Sequence, residues 1–254
     1  MQNDLSNRTI LITGASSGLG SHFARAAAKA GGRVVLAARR ADRLEALKSE
    51  IEAAGGQAAA VTMDVTDEAS IIAGFDAAEG AFGPVDSVIA NAGMNSPGSA
   101  LGLPTEDFDA LMQINLRGVF LTAREAAKRM IAAGSPTREH GRIVLLGSIG
   151  SHRVLPRLTA YATSKAAVLM MSKSLALEWA NKGINVNTIM PGYVATELNE
   201  EWLNSPAGQE LVSGFPRKRL MAASDIEPIA LYLCSDASRA ITGGGFELDD
   251  GQSI

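Results

Sequence analysis

The stretch Arg8-Thr9-Ile10-Leu11-Ile12-Thr13-Gly14-Ala15-Ser16-Ser17-Gly18-Leu19-Gly20 passes from a short apolar run into a glycine-rich turn, after which Phe23, Ala24, Ala27 and Ala28 recur at helical spacing. Strand, glycine turn, helix is the reading. The glycines let the backbone come close to a pyrophosphate, while the helix N-terminus offers free N–H groups and the positive end of a dipole. Such turns also occur without a ligand. Its place in the first βα unit of an alternating chain favours a nucleotide site.

Working outward, the alternation continues. Further strands are expected at Arg33 to Ala38, Gln57 to Met63, Val85 to Ala90, Ile143 to Ser148, Ile184 to Met190 and Ile241 to Leu248. Between them lie an amphipathic pattern through Leu44, Leu47 and Ile51, a long helical pattern from about Thr105 to Ala133, and a last helix from about Asp225 to Cys234 with Ser224 as its cap. Thr66 or Asp67 is the expected N-cap of the helix after the third strand. Gly134 to Arg142 reads as a polar turn. Strands alternating with helices define the α/β class. With no repeat, low-complexity tract or linker, one domain over residues 1–254 is expected.

Composition narrows the function. The chain has 254 residues, 46% hydrophobic, with 23 basic against 27 acidic side chains. That balance lacks the basicity of a polyanion binder, so no nucleic acid is expected as a partner. Residues 1–10 are polar and lack the apolar core of a signal peptide, and no later stretch resembles a membrane span, so a cytoplasmic location is expected. Cys234, the single cysteine, lies in an apolar helix and reads as a buried thiol. His22, His140 and His152 share no ligand spacing, so no metal site is expected and all three read as neutral surface histidines.

The chemistry is carried by Ser148, Tyr161 and Lys165. Tyr161 and Lys165 stand one helical turn apart, which places them on one face. A phenol titrates near pH 10, and a fixed cation nearby favours the phenolate, so Lys165 is expected to lower the Tyr161 pKa and make a usable general acid. In a carbonyl reduction the acid sits beside the oxygen where negative charge develops, and a second hydroxyl, Ser148, can hold that oxygen. Tyr-x-x-x-Lys alone is a short, common pattern, equally at home on a plain helix surface.

The glycine turn here is Thr-Gly-x-x-x-Gly-x-Gly, with three residues between its first two glycines. Together with Ser148, Tyr161 and Lys165, and the thirteen positions from Ser148 to Tyr161, it resembles the short-chain dehydrogenase/reductase family over nearly the whole chain. The resemblance implies a Rossmann-like, doubly wound, parallel seven-stranded sheet with helices on both faces. It implies a dinucleotide held by Gly14, Ser16, Ser17, Gly18, Leu19 and Gly20, with Asp64 and Val65 at the adenine and Asn91, Ala92 and Gly93 along the cofactor side. Pro191, Gly192, Val194 and Thr196 would flank the nicotinamide. Lys165 would also grip the nicotinamide ribose beside Tyr161, and Asn115 would distort its helix and support a water linked to Lys165, as the fourth catalytic residue.

Ala38 stands at the end of the second strand, where NAD-binding proteins place a carboxylate on the ribose. Arg39 and Arg40 follow, and a guanidinium suits a 2′-phosphate, which points to NADP or NADPH over NAD. The reaction implied is reversible reduction of a small-molecule ketone to a secondary alcohol; the alternatives are an NAD-linked alcohol dehydrogenase and a non-catalytic dinucleotide sensor. A substrate lid is expected at about residues 193–220, whose Arg217-Lys218-Arg219 could attract an anion or simply be solvated. Family members often form tetramers, so a homo-oligomer is expected. Two departures stand out: Ala90 replaces the first Asn of an Asn-Asn-Ala-Gly motif, and Asp250 replaces the first Gly of a terminal Asp-Gly-Gly.

Overall fold

A computed structural model describes residues 4–6, 8–196 and 200–254, apart from the side chain of Glu200. Seven strands, β1 (Thr9–Thr13), β2 (Arg33–Ala38), β3 (Gln57–Thr62), β4 (Ser87–Ala90), β5 (Gly141–Leu146), β6 (Ile184–Pro191) and β7 (Gly245–Leu248), form one sheet. Their order is β3-β2-β1-β4-β5-β6-β7, and every pairing is parallel. The order reverses between β1 and β4, so a crevice opens at their carboxyl ends.

The helices are α1 (Gly18–Lys29), α2 (Ala41–Ala53), α3 (Glu68–Phe82), α4 (Thr105–Met112), α5 (Val119–Ala132), α6 (Ser135–Arg138), α7 (Thr159–Trp179), α8 (Glu200–Leu203), α9 (Pro206–Ser213) and α10 (Glu227–Cys234). Alternate side chains of a strand point to opposite faces. Accordingly Ile10 and Ile12 join a core with Phe23 of α1, Leu44 of α2 and Leu233 of α10. Leu11, between them, joins a second core with Phe75 of α3, Ala123 of α5 and Val168 of α7. A sheet covered on both faces explains why the central strands are continuously apolar instead of alternating.

Several boundaries differ from the sequence reading. The long helix from Thr105 is interrupted by a π-helical turn at Gln113–Gly118. The expected polar turn at residues 134–142 holds α6 and the first residues of β5. Gly183 has φ +68° and lies so close to α6 that a Cβ there would stand 2.0 Å from the Ser135 carbonyl oxygen. Asp67 is the cap of α3, its carboxylate accepting from the Ala69 amide at 2.9 Å. Ser224 does not cap α10; it lies in a 3-10 turn at Ala223–Asp225, and α10 starts only at Glu227. Cys234 is buried, which pushes its thiol up to about 12.

At the opposite end of the sheet from the crevice, two guanidinium groups are sealed inside. Arg8 donates to Ser87 Oγ at 3.1 Å and the His140 carbonyl at 2.7 Å, and pairs with Asp86 and Asp236. Arg142 donates to the carbonyls of Ser235 at 3.2 Å and Glu139 at 3.1 Å. Burial lifts the Asp86 carboxyl to about 6, against the pull of Arg8. His140 is therefore part of a half-buried polar network, not the plain surface histidine expected from sequence; its ring nitrogen lies 3.2 Å from Arg8 Nη2.

Candidate active site

The crevice is a cleft of about 500 Å³ along the carboxyl ends of the strands. Its floor begins at the turn after β1. Gly14 has φ +68° and Gly18 φ +53°, conformations that L side chains rarely adopt. A Cβ at Gly14 would come 2.9 Å from Ala92 Cα. Ser16, Ser17, Gly18 and Leu19 line the cleft with it. Gly20 does not; a Cβ there would strike the Gly14 carbonyl oxygen at 2.3 Å, so this glycine lets α1 pack against the turn. Asn91 locks the same turn to β4, its side-chain amide donating to the Thr13 carbonyl at 2.9 Å while its backbone N–H reaches Thr13 Oγ1 at 3.1 Å. Asn91, Ala92 and Gly93 all line the cleft.

Past β2 the cleft is edged by Ala38, Arg39 and Arg40. Arg40 bends back over the glycine turn, donating to Ser16 Oγ at 2.8 Å and Ser17 Oγ at 2.7 Å. Across from it Asp64 is held below the usual carboxylate range, chiefly by the Thr66 backbone N–H, with help from the Thr66 hydroxyl and the charge of Arg39. A site with two guanidinium groups, two hydroxyls and close-approach glycines fits a dinucleotide carrying an extra phosphate on its adenosine. Val65 and, unforeseen in the sequence, Met63 and Ile114 add apolar walls.

At the other end lie Ser148, Tyr161 and Lys165. Ser148 stands just beyond β5, where its hydroxyl accepts from the Gly150 amide at 3.1 Å and caps a 3-10 turn. Gly147 leaves no room for a second serine, since a Cβ there would lie 2.8 Å from Thr188 Cγ2. Lys165 is buried, donates to the Leu146 carbonyl at 2.7 Å, and places its ammonium 5.7 Å from the Tyr161 ring centre. Burial lowers the Lys165 ammonium to about 8. For Tyr161 the expected direction is reversed: burial dominates and raises the phenol, the Ser148 hydroxyl pulls it down, and Tyr193 raises it further.

Asn115 does not line the cleft; it lies fully buried in the π-helical turn behind it. Its Oδ1 accepts from the Met94 amide at 2.8 Å, and its Nδ2 donates to the Met94 carbonyl at 2.9 Å and to Ser164 Oγ at 3.2 Å. It thereby tethers the loop after β4 to α7. A Cβ at Gly93 would lie 3.4 Å from Asn115 Oδ1 and 3.7 Å from Lys165 Nζ, so the three residues meet. Pro191, Gly192, Val194 and Thr196 line the cleft at the end of β6.

Tyr193 stacks near Trp202, with ring centres 6.4 Å apart, and near Phe215 at 5.6 Å. Arg217 and Arg219 are not simply solvated: their Nε atoms lie 3.2 and 2.8 Å from the Asp250 carboxylate. Residues 197–199 of the expected lid lie outside the described residues. Among the described residues no cluster of His, Cys, Asp or Glu could hold a metal ion, and no helix is long and apolar enough to cross a membrane.

A doubly wound parallel sheet with a glycine-turn cleft and a Ser-Tyr-Lys set at its far end defines a dinucleotide-dependent oxidoreductase class. The chain belongs to the short-chain dehydrogenase family of NAD(P)-dependent oxidoreductases, whose signature it matches across residues 8–206. It is 35% identical to D-threitol dehydrogenase of Mycolicibacterium smegmatis over 98% of this chain and 94% of that protein. It is also 35% identical to 3beta-hydroxysteroid dehydrogenase 1 of Eggerthella lenta, over 100% and 97% of the two chains. Among solved structures, gluconate 5-dehydrogenase of Burkholderia cenocepacia, in complex with NADP and tartrate, superimposes with a TM-score of 0.92 at 32% identity, covering 99% and 97% of the two chains.

Proposed function

We propose that the protein is an NADPH-dependent carbonyl reductase that also oxidises the corresponding secondary alcohol. The observation that carries this reading is the pairing, in one cleft, of Arg39 and Arg40 beyond a β2 that ends in Ala38 with Ser148, Tyr161 and Lys165 at the far end. NADP in the gluconate 5-dehydrogenase complex supports the cofactor choice. The turn from Gly14 to Leu19 would hold the pyrophosphate, Arg39 and Arg40 the 2′-phosphate, Asp64 and Val65 the adenine, and Asn91 to Gly93 with Pro191, Gly192, Val194 and Thr196 the nicotinamide half. When bound, the dinucleotide supplies the hydride.

The chain's own residues handle the proton. Tyr161 gives its phenolic proton to the carbonyl oxygen as charge develops there, and a phenol held protonated by burial is well suited to that role in the reducing direction. Ser148 donates to the same oxygen and, after transfer, to the phenolate. Lys165 places a positive charge under the ring, which stabilises the phenolate as it forms and grips the ribose hydroxyls. Asn115 keeps α7, and with it Tyr161 and Lys165, in register with the loop after β4. Residues 193–220 serve as the substrate lid.

We also infer a homo-oligomer, a tetramer, because Phe120 of α5 and Met170 and Leu177 of α7 expose apolar side chains, Leu177 at 83% of its surface. Sedimentation of the purified protein, with Leu177→Glu as the control, tests this; a monomer at micromolar concentration would refute it. The activity is tested with purified protein, NADPH or NADH, and a panel of ketones. Faster turnover with NADPH, reversed in Arg39→Asp, is the expected result. A preference for NADH in the unaltered enzyme would move the assignment to an NAD-linked alcohol dehydrogenase, and tight cofactor binding without turnover would indicate a sensor.

A further inference from the structure

Two residues of the turn after β7, Gln252 and Asp250, touch the two ends of the proposed lid. Gln252 is buried, and its side-chain amide addresses a single residue twice: Oε1 accepts from the Tyr193 N–H at 2.6 Å and Nε2 donates to the Tyr193 carbonyl at 3.3 Å. A neighbouring strand would satisfy the same two groups. Gly192 makes the approach possible, since a Cβ there would stand 2.3 Å from Gln252 Oε1. The Gln252 carbonyl in turn accepts from Arg153 Nη1 at 2.7 Å, five residues beyond Ser148.

The other end of the lid is held two residues earlier. Asp250 has φ +54°, a left-handed conformation that an L side chain adopts at a cost and a glycine adopts freely. What the side chain supplies is a carboxylate between Arg217 and Arg219. Asp249 fixes the turn itself, accepting from the Gly251 amide at 3.0 Å and the Ser253 amide at 2.7 Å. Between the two held ends sits the aromatic group of Tyr193, Trp202 and Phe215, and Tyr193 stands between Gly192 and Val194, which line the same cleft as Tyr161.

We propose that Gln252 and Asp250 are positioning residues for substrate recognition: by holding Tyr193 at one end of the lid and Arg217 with Arg219 at the other, they set the aromatic wall against the reacting centre. The inference rests on the proposed carbonyl reduction at Tyr161. Because both residues act through the lid and touch neither the glycine turn nor Lys165, their loss affects binding of the carbonyl compound more than cofactor binding or the proton step.

Two variants and two readouts test this, using the full-length protein. With NADPH and the best substrate among diacetyl, cyclohexanone and D-fructose, Gln252→Ala and Asp250→Gly should each raise KM about 3- to 10-fold, with kcat and NADPH affinity within about two-fold. Asp250→Gly relieves the backbone while removing the carboxylate, so it keeps its melting temperature. In a Tyr193→Ala background Gln252→Ala should add less than about two-fold. In a Trp179→Phe background, which leaves Trp202 as the remaining tryptophan, either variant should increase acrylamide quenching of Trp202. Independent, multiplying effects of Gln252→Ala and Tyr193→Ala, or unchanged Trp202 quenching, would overturn the inference. Absence of turnover in the unaltered protein would instead overturn the carbonyl-reductase reading, and the quenching experiment would still decide this one.

Discussion

At Tyr161 a half-buried phenol and a buried ammonium share one helix face, and desolvation acts on them in opposite directions. It raises the phenol and lowers Lys165 to about 8. The i,i+4 spacing made their adjacency legible in the sequence; the direction of the phenol's shift was not, because it depends on how completely the cleft walls exclude water. Tyr161→Phe should reduce ketone turnover by at least about 100-fold while leaving NADPH binding intact, measurable by steady-state rates beside fluorescence titration. Lys165 makes a separate prediction for stability. Between pH 8 and about 10.5 the unfolded lysine still holds a proton that the folded one has released, so this group's contribution to stability rises with pH across that window. Below pH 8 the burial penalty is present in full. Thermal unfolding should therefore show the stability of Lys165→Met relative to the unaltered protein falling from pH 8 to pH 10, by up to about 3 kcal/mol; a constant difference would show that the ammonium is not desolvated.

Among the elements, the π-helical turn at Gln113–Gly118 was the least legible. Its sequence, Gln-Ile-Asn-Leu-Arg-Gly, carries no breaker except the glycine at its end, and an apolar period spanning both sides reads as one continuous helix. The clue was Asn115, a polar amide among apolar neighbours, which had to find partners. Those partners are the Met94 backbone and Ser164. Asn115→Ala should leave them stranded and lower stability by about 3 kcal/mol, with turnover falling further than the melting temperature alone explains; Asn115→Asp, which keeps the acceptor, should recover part of both. The glycine turn, in contrast, was readable residue by residue because φ values of +68° and +53° and the approach to Ala92 admit little else. Gly14→Ala should lower both stability and dinucleotide affinity, seen as a weaker NADPH fluorescence titration. The lid escaped reading in a different way: Arg217 and Arg219 gave their charge away in the sequence, but their partner, Asp250, lies some thirty residues downstream.

For the whole molecule, the alternation of apolar runs with helical periods was enough to define the α/β class, whereas strand order was not written in any local pattern, and the family resemblance supplied only a doubly wound, parallel, seven-stranded sheet. The polar end of the sheet was equally hidden. Arg8 read as the first residue of a strand and Arg142 as the last of a turn; in the fold both are enclosed, and their acceptors come from residues 86, 139, 140 and 234–236 through direct or Ser87-mediated bonds. Removing one partner of an enclosed charge is far more disruptive than weakening a surface pair. Asp236→Asn should therefore be tolerated better than Asp86→Ala in chemical denaturation, because the Asp236 side chain is largely exposed and that of Asp86 is not.

The same arrangement bears on how the polypeptide can emerge from a ribosome. Strand β1 lies inside the sheet, between β2 and β4, yet Arg8 just ahead of it pairs with Asp236, translated more than two hundred residues later, beside the Ser235 carbonyl that accepts from Arg142 of β5. A nascent chain stalled before Ser235 would hold Arg8 and Arg142 with only part of their partners, since the Asp236 carboxylate and the Ser235 carbonyl would still be missing. Protease resistance of stalled chains should consequently rise once that segment clears the exit tunnel.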